Sequence, residues 1–250
     1  MLFSYDHIAY IACYQTPQLH RHFAKHIMIS LGGALEGRIE GDIVTCEGIG
    51  IQSGAEHTVC SRKGELLLYL YDETCDAAEL LNERYLKGRE YAVLEPELCE
   101  KIRTLVKTQT LTGETDRLII QELHLAARKD TDAHGKYDDR ITEVLDYIHA
   151  SESLQVGSII KELCSVACLS ESRLSHLFRE NMGISLAGYL TFVKVAKTYE
   201  YVLLGESITE AAIHAGFSSS AHFAAVNKKN FGISARELEN TFPFVQIAEN

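Results

Sequence analysis

Four histidines in the first quarter of the chain have the type and spacing to hold a metal ion or a small ligand. His20, His22 and His26 lie in QLHRHFAKH, and His57 follows in GAEH. In a β-strand, residues two apart project to the same face, so His20 and His22 are predicted to point one way. Imidazole nitrogen suits Zn, Ni, Cu or Fe(II). The pattern predicts a transition-metal site, or surface and structural histidines only.

The elements that must position these histidines are short strands. Residues 1–90 are rich in glycine and β-formers, interrupted by the turn sequences GG, EGD, EGIG and RKGE. Such even spacing predicts an all-β barrel or sandwich. From Pro96 the pattern becomes helical, first in PELCEKIRTLVKTQT and then in DRLIIQELHLAARKD. These two helices are predicted to pack on each other or on a second subunit, and the polar stretch 131–139 is predicted to be a linker.

The C-terminal half contains a weak internal repeat. Residues 163–185, LCSVACLSESRLSHLFRENMGIS, align with residues 211–234, AAIHAGFSSSAHFAAVNKKNFGIS. Each copy has a short helix, a tight turn and a serine-rich start to a second helix, which predicts two helix-turn-helix units. Ser170 and Ser218 are predicted to cap the second helices. One longer helix, at 188–205, is predicted to join the units.

Composition narrows the class of protein. The chain has 250 residues, 46% of them hydrophobic and 24% charged, which is typical of globular domains. Its seven cysteines include no CxxC pair, which argues against a disulfide framework or a zinc ribbon. The start has no basic leader, and no apolar run approaches the ~18 residues of a membrane helix. We therefore expect a cytoplasmic protein with no membrane partner.

The C-terminal pattern resembles the AraC/XylS family of transcription regulators over most of residues 140–240. The resemblance rests on apolar and small residues in order and at family spacing: Leu174, Phe178, Gly183, Ser185, Tyr189, Ile208, Ala212, Gly216, Phe217, Phe223, Phe231 and Gly232. It implies a DNA-binding domain of two helix-turn-helix units in successive major grooves. It also implies an N-terminal cupin-like domain that binds an effector or dimerises.

The histidine pattern is similar to the metal pattern of cupins. HxH is followed by a ligand a few residues on and then by GxxH, here Gly54 to His57. His26 takes the place where cupin enzymes usually carry glutamate, and the proline that often precedes the glycine is absent. The resemblance therefore keeps open both a metal site and an effector pocket without metal.

Several residues depart from the family pattern. Lys194 replaces a usual arginine and Thr198 a usual alanine. Asn227 stands at an apolar position, commonly phenylalanine, and Ala224 and Ala225 stand where polar or basic residues are frequent. Ala235 replaces a proline, Glu239 lies near the place of a common arginine, and Cys168 takes the place of a turn glycine. The changes at Ala224, Ala225 and Asn227 predict a second unit that contributes less to DNA binding than the first.

The net charge also affects how strongly the C-terminal domain can bind DNA. The net charge is −11, and residues 138–250 contain nine Lys or Arg against fourteen Asp or Glu. An acidic DNA-binding domain departs from the usual basic footprint, so we expect salt-sensitive binding that depends on a homodimer or on a partner such as RNA polymerase. The predicted DNA-binding residues of the first unit are Ser172, Arg173, Ser175, His176 and Arg179. Those of the second are Ser219, Ser220, His222, Lys228 and Lys229.

The sequence thus predicts two domains with linker helices between them. Residues 1–90 are a cupin-like sensing barrel, residues 91–137 a helical dimerisation segment and linker, and residues 138–250 an all-α domain with two helix-turn-helix units. The favoured function is a sequence-specific regulator of double-stranded DNA controlled by a small-molecule or metal effector. The alternatives are a regulator that acts mainly through protein contacts, and a cupin metalloenzyme, for which no acid or base can be identified.

Overall fold

The computed structural model describes residues 2–3, 7–13, 18–61, 64–108, 111–126, 137–231 and 246–247. The chain divides into two compact units. One comprises residues 1–128 together with 227–250, and the other comprises residues 129–226. Most of the predicted linker, and the predicted landmarks Gly232, Ala235 and Glu239, lie outside the described residues.

The first unit contains two β-sheets. Its strands are β1 (Leu2–Phe3), β2 (His7–Ala12), β3 (Ala24–Ser30), β4 (Leu35–Ile39), β5 (Asp42–Cys46), β6 (Gly48–Ile51), β7 (His57–Ser61), β8 (Leu66–Asp72), β9 (Tyr91–Val93) and β10 (Gln246–Ile247). Seven form one sheet in the order β10-β1-β2-β8-β3-β6-β9, and three form a second in the order β5-β4-β7. Pairing is antiparallel except between β1 and β10.

The larger sheet is buried on both faces. Ile27 and Tyr69 belong to one apolar cluster with the helices of this unit. Their chain neighbours Met28 and Leu68 point to the opposite face and are also buried. His26 shares the face of Met28 and contacts His57 of β7. That face is therefore turned towards the three-stranded sheet, as expected for a barrel.

Helices cover the other face of the larger sheet. They are α1 (Asp76–Leu81), a π-helical turn (Asn82–Leu86), α2 (Pro96–Thr108) and α3 (Gly113–Glu122). Gly48 permits the approach of α2, because a Cβ at this position would lie 2.5 Å from Cys99 Sγ. The predicted apolar stripe of α2, Leu98 to Val106, packs in this cluster. The stripe is thus covered within the unit, and dimerisation through residues 91–137 stays a prediction.

Two strands fall beyond the boundaries predicted from the sequence pattern. β9, which pairs with β6, lies just after residue 90 and completes one edge of the larger sheet. β10, which pairs with β1, lies inside the segment predicted to be helical. Both strands are very short, so neither produces the alternating pattern by which longer strands are recognised.

The second unit is helical. Its helices are α4 (Asp139–Ala150), α5 (Val156–Val166), α6 (Glu171–Met182), α7 (Leu186–Leu203), α8 (Ile208–His214) and the start of α9 (Ser220–Phe231). The two predicted helix-turn-helix pairs are α5 with α6 and α8 with α9, and α7 is the predicted joining helix, shifted by two residues. Among the described residues, no helix is long and apolar enough to cross a membrane.

Candidate nucleic-acid interface and histidine cluster

The same turn leads into both second helices. In the first, the N–H of Leu169 donates to Cys164 O at 3.0 Å and that of Cys168 to Ser165 O at 3.3 Å. In the second, Phe217 donates to Ala212 O at 2.9 Å and Gly216 to Ile213 O at 3.0 Å. These are Schellman turns, which require a left-handed residue. Gly216 supplies it with φ of 101°, and Cys168 supplies it with φ of 51°.

The first recognition helix, α6, is anchored on its inner side and polar on its outer side. Ser170 caps it by accepting the N–H of Arg173 at 3.5 Å, and Gly183 ends it with φ of 70°. Leu174 and Phe178 are fully buried. The five predicted DNA-binding residues of this helix are all exposed. Their contact with DNA stays a prediction.

In the second recognition helix, α9, the predicted cap is wrong by one residue. Ser219, and not Ser218, accepts the N–H of His222 at 3.1 Å. Ser218 Oγ instead bonds His222 Nδ1 at 3.0 Å. The second turn has one more residue between its left-handed position and its cap than the first turn, where Ser170 follows Cys168 by two. The alignment of the two sequence copies contains this extra residue, but it does not show whether the residue lies before or after the capping serine.

Alignment on the two caps shows what the second unit lacks. Phe178 and Asn227 occupy the same position, and both are 0% exposed. Asn227 therefore stands at a buried position, as the family pattern predicts. Ala224 and Ala225 correspond to Ser175 and His176 and are likewise exposed. The outer face of α9 thus has methyl groups where α6 has hydrogen-bonding groups.

The other predicted DNA-binding residues of the second unit stand at its surface. Ser219, His222, Lys228 and Lys229 are exposed, and Ser220 is half-buried. Both lysines lie in the last turn of α9, where cations are favoured by the helix dipole. The helix dipole therefore explains why both lysines lie in this turn as well as a contact with DNA would.

Lys194 of α7 supports the turn before α9. Its Nζ donates to Gly216 O at 3.0 Å and lies 5.9 Å from the centre of the Phe217 ring. Burial lowers the pKa of this lysine. Gly216 also packs on backbone, because a Cβ there would lie 2.6 Å from the carbonyl carbon of Leu154. Lys194 therefore binds a carbonyl just after the C-terminus of α8.

All four predicted histidines of the barrel come together. His22 and His26 have ring centroids 4.1 Å apart, His20 and His57 4.4 Å, and His26 and His57 4.7 Å. His26 lies in β3 and His57 begins β7. The predicted strand for the HxH pair is wrong in detail. Only His20 pairs, through an isolated bridge to His57, and His22 lies in the segment between this bridge and β3.

Backbone carbonyls fix the tautomers of two histidines. His20 Nδ1 lies 2.8 Å from Gln18 O and His57 Nδ1 lies 2.9 Å from Ala55 O. A carbonyl only accepts, so each Nδ1 carries the proton and each Nε2 keeps its lone pair. Within the described structure, the buried His57 Nε2 has no hydrogen-bond partner. Metal-binding histidines typically donate their other ring N–H to a carbonyl in this way.

The other two histidines bond each other. The N–H of Ala24 donates to His22 Nδ1 at 3.3 Å, which places the proton of neutral His22 on Nε2. His22 Nε2 then donates to His26 Nε2 at 2.6 Å. One ring nitrogen from each of His20, His22 and His57 lies within 4.8 Å of the other two. If His22 joined His20 and His57 in binding a metal ion, its hydrogen bond to His26 would have to break.

The cluster is held in its neutral form. Burial, followed by repulsion from His20, lowers the pKa of His57 to about 4. Burial and then the neighbouring histidines hold the pKa values of His22 and His26 well below the usual range. Neutral imidazole is the form that binds metals. The donor set therefore fits a transition-metal ion, and it also fits an organic ligand that donates hydrogen bonds.

A buried polar group that the sequence analysis did not identify lies in the same unit. Asp116 Oδ1 of α3 is 3.1 Å from His7 Nε2 and accepts the Tyr69 hydroxyl at 2.8 Å. His7 and Asp116 are each 5% exposed. The sequence does contain one indication of this group, because Asp116 lies on the same side of α3 as the apolar residues Ile119 and Ile120. The group attaches α3 to strands β2 and β8.

Residues 163–241 match the family model described as a helix-turn-helix domain. The arabinose operon regulatory protein of Escherichia coli K12 is 31% identical over 111 residues, which cover 42% of this chain and 36% of that protein. An uncharacterised helix-turn-helix transcriptional regulator of Staphylococcus aureus is 34% identical over 168 residues, covering 64% of this chain and 21% of that protein. The matches thus span about a third or less of these relatives.

Solved structures share the fold along the whole chain. A variant of apo ToxT from Vibrio cholerae strain SCE256 has a TM-score of 0.63 at 12% identity, covering 97% of this chain and 100% of the other. Wild-type ToxT bound to an unsaturated fatty acid has a TM-score of 0.57 at 13% identity, covering 98% of each chain. The predicted two-domain fold and the resemblance to AraC/XylS regulators are confirmed.

Proposed function

We propose that this chain, which carries the helix-turn-helix domain of the AraC/XylS regulators, is a sequence-specific DNA-binding transcription regulator controlled by an effector in its N-terminal barrel. One observation carries the proposal. Two helix-turn-helix pairs share the same Schellman turn, and the second helix of each carries exposed polar side chains. A helix presented in this way enters the major groove of double-stranded DNA.

The two recognition helices contribute unequally. Arg173 and Arg179 with Ser172, Ser175 and His176 give α6 both charge and hydrogen-bonding groups, so α6 supplies most of the specific contact. On α9, Ser219, Ser220, His222, Lys228 and Lys229 supply mainly phosphate contacts. Two to four phosphates per unit give a modest salt dependence, at a slope of about −0.9 per neutralised phosphate.

The histidine cluster is the proposed effector site. Two imidazoles with their Nδ1 protons on carbonyls, and a third nearby, provide neutral nitrogen donors for a transition-metal ion. His20, His22 and His57 would hold it, and a bound ion would tie the segment before β3 to the start of β7. The alternative effector is a small organic molecule hydrogen-bonded by the same nitrogens.

Fluorescence anisotropy with the chain's own upstream DNA tests the proposal. The full chain is titrated at two salt concentrations, with and without added metal or candidate effectors. We expect binding that weakens as salt rises and that changes when the effector is present. An absence of salt-dependent binding at micromolar protein under every condition would contradict the regulator function.

Two observations favour a second candidate, a regulator that acts mainly through protein contacts. The acidic surface and the pair Ala224 and Ala225 both reduce the attraction of the helical domain for DNA. Homodimerisation or contact with RNA polymerase would then supply the free energy of DNA binding that the helical domain lacks. Gel filtration with and without the promoter fragment separates the two, since the second candidate requires a protein partner before any shift occurs. The similarity to transcription regulators supports a non-enzyme role in either case.

A further inference from the structure

A cleft of about 250 Å³ lies between the start of α4 and the recognition helix α6. Its lining residues are Arg140, Leu169, Arg173, His176, Leu177 and Glu180. Arg140 lies before the segment matched as the helix-turn-helix domain and has no role in the function proposed above. Three basic side chains from two helices thus face one space, with two leucines beside them.

Arg140 is held in place by its neighbours. Asp138 accepts its Nε at 2.8 Å and its Nη2 at 2.7 Å. The N–H of Asp138 in turn donates to Asn181 Oδ1 of α6 at 2.9 Å. The guanidinium is therefore fixed relative to the recognition helix, and both N–H groups of Nη1 and the second N–H of Nη2 are left for another acceptor. A positioned guanidinium loses less conformational entropy when it binds a planar or tetrahedral oxyanion.

A DNA backbone fits this cleft better than other anions because the cleft adjoins the face that carries the predicted base contacts. Arg173 and His176 belong to both. A duplex placed along α6 would bring a phosphodiester beside Arg140, and arginine binds phosphate oxygens through paired N–H donors. We propose that Arg140, with Arg173 and His176, binds a DNA backbone phosphate, an assignment that rests on the proposed DNA-binding function.

Glu180 opposes this binding. Its carboxylate lies 3.4 Å from His176 Nε2, and both side chains are well exposed. In the cleft it competes with phosphate for the basic groups and repels a backbone that approaches them. The position that matches Glu180 in α9 is Lys229, so the first unit carries an anion where the second carries a cation. Glu180 therefore limits the affinity of the unit that has the better recognition face.

The test uses the full chain, a labelled upstream duplex and an unrelated duplex of equal length. Arg140→Gln should raise Kd three- to tenfold for both duplexes and reduce the slope of log K against log salt by about 0.9. Glu180→Gln should lower both Kd values by about threefold, the effect of an exposed charge pair. Arg84→Gln is the matched control, because Arg84 is also an exposed arginine and lies outside the recognition helices and the histidine cluster. It should change neither quantity.

The outcomes separate this assignment from the function on which it rests. If wild-type protein binds both duplexes with a salt slope that Arg140→Gln leaves intact, the phosphate assignment is wrong and DNA binding stands. If wild-type protein binds neither duplex, the proposed function itself fails. If Arg140→Gln alters no DNA binding, yet inorganic phosphate raises the Tm of wild type and not of the variant, the cleft takes free phosphate and the backbone assignment is overturned.

Discussion

Phe178 and Asn227 stand at the same position of two successive recognition helices, eight residues after the capping serine. Neither has any exposed surface. This equivalence aligns every outward position of the two helices. It shows that the second helix keeps cations near its end, where α6 has Arg179, but has lost the polar groups in the middle of its outer face.

The first prediction restores those groups. The double substitution Ala224→Ser and Ala225→His gives α9 the residues that α6 has at Ser175 and His176. We expect DNA affinity to rise by about threefold or more, because each new hydrogen bond to a base or phosphate contributes about 1 kcal/mol. Anisotropy titration measures it. The reverse change in α6, Ser175→Ala with His176→Ala, should weaken binding by more than the first change strengthens it. Equal affinities in all three proteins would show that these positions do not contact DNA.

The second prediction compares the two Schellman turns. Gly216→Ala places a Cβ 2.6 Å from the Leu154 carbonyl carbon at a left-handed φ of 101°. We expect it to lower the free energy of unfolding by more than about 2 kcal/mol. Cys168→Gly removes the strain of a left-handed cysteine and should raise it by up to about 1 kcal/mol. Urea denaturation measures both.

Cys168→Ala is the control for this pair. It removes the thiol and keeps the backbone strain, so its stability should lie close to that of the wild type. A stabilisation equal to that of Cys168→Gly would show that the thiol, and not the backbone, carries the cost.

The third prediction concerns pH. The pKa of His57 is about 4 in the folded barrel against 6.5 in an unfolded chain. Between these values the unfolded state binds more protons, so stability falls as pH falls from 6.5 towards 4 and is independent of this group above 6.5. For His57 alone, the loss at about pH 5 is about 2 kcal/mol relative to about pH 7. His22 and His26 act in the same direction because their pKa values are also lowered.

Urea titrations of wild type and His57→Gln at several pH values measure this dependence. The variant should be less sensitive to acid over the same window. If the two proteins lose stability in parallel as pH falls, His57 is not the group responsible.

The fourth prediction concerns metal. Protein purified without a histidine tag should bind about one equivalent of a transition metal, and its Tm should rise on metal addition by mass action. His20→Gln or His57→Gln should abolish the shift. His124→Gln is the matched control, because His124 is an exposed histidine of the same unit outside the cluster. Less than about a tenth of an equivalent, with no thermal shift, would leave the organic effector as the proposal.

Periodicity and turn residues were sufficient to predict most of the architecture. The apolar positions of α2 and the serine–glycine limits of α6 are local signals, and the structure agrees with both. The cap of α9 was placed wrongly because three consecutive serines, 218–220, offer equivalent caps and only the turn geometry distinguishes them.

The candidate sites were predictable only in part. The four histidines were identified because three lie within one short segment and the fourth belongs to a known pattern. The bond between His7 and Asp116 joins residues 109 apart in the chain, and nothing local indicates it. Arg140 was missed for the same reason, since its place beside Arg173 depends on how α4 packs against α6.

The exposed cysteine at the first turn has a practical consequence. Cys13 and Cys168 are the exposed thiols of the chain, and they belong to different units. Cys168 lies two residues before Ser170, the cap of the recognition helix α6, whereas Cys13 lies in the sheet-bearing unit. Cys168 can therefore serve as a footprinting probe for bound DNA, and Cys13 can serve as the internal standard. The rate at which an alkylating reagent modifies each thiol would report how closely a duplex covers the first turn, without any engineered label.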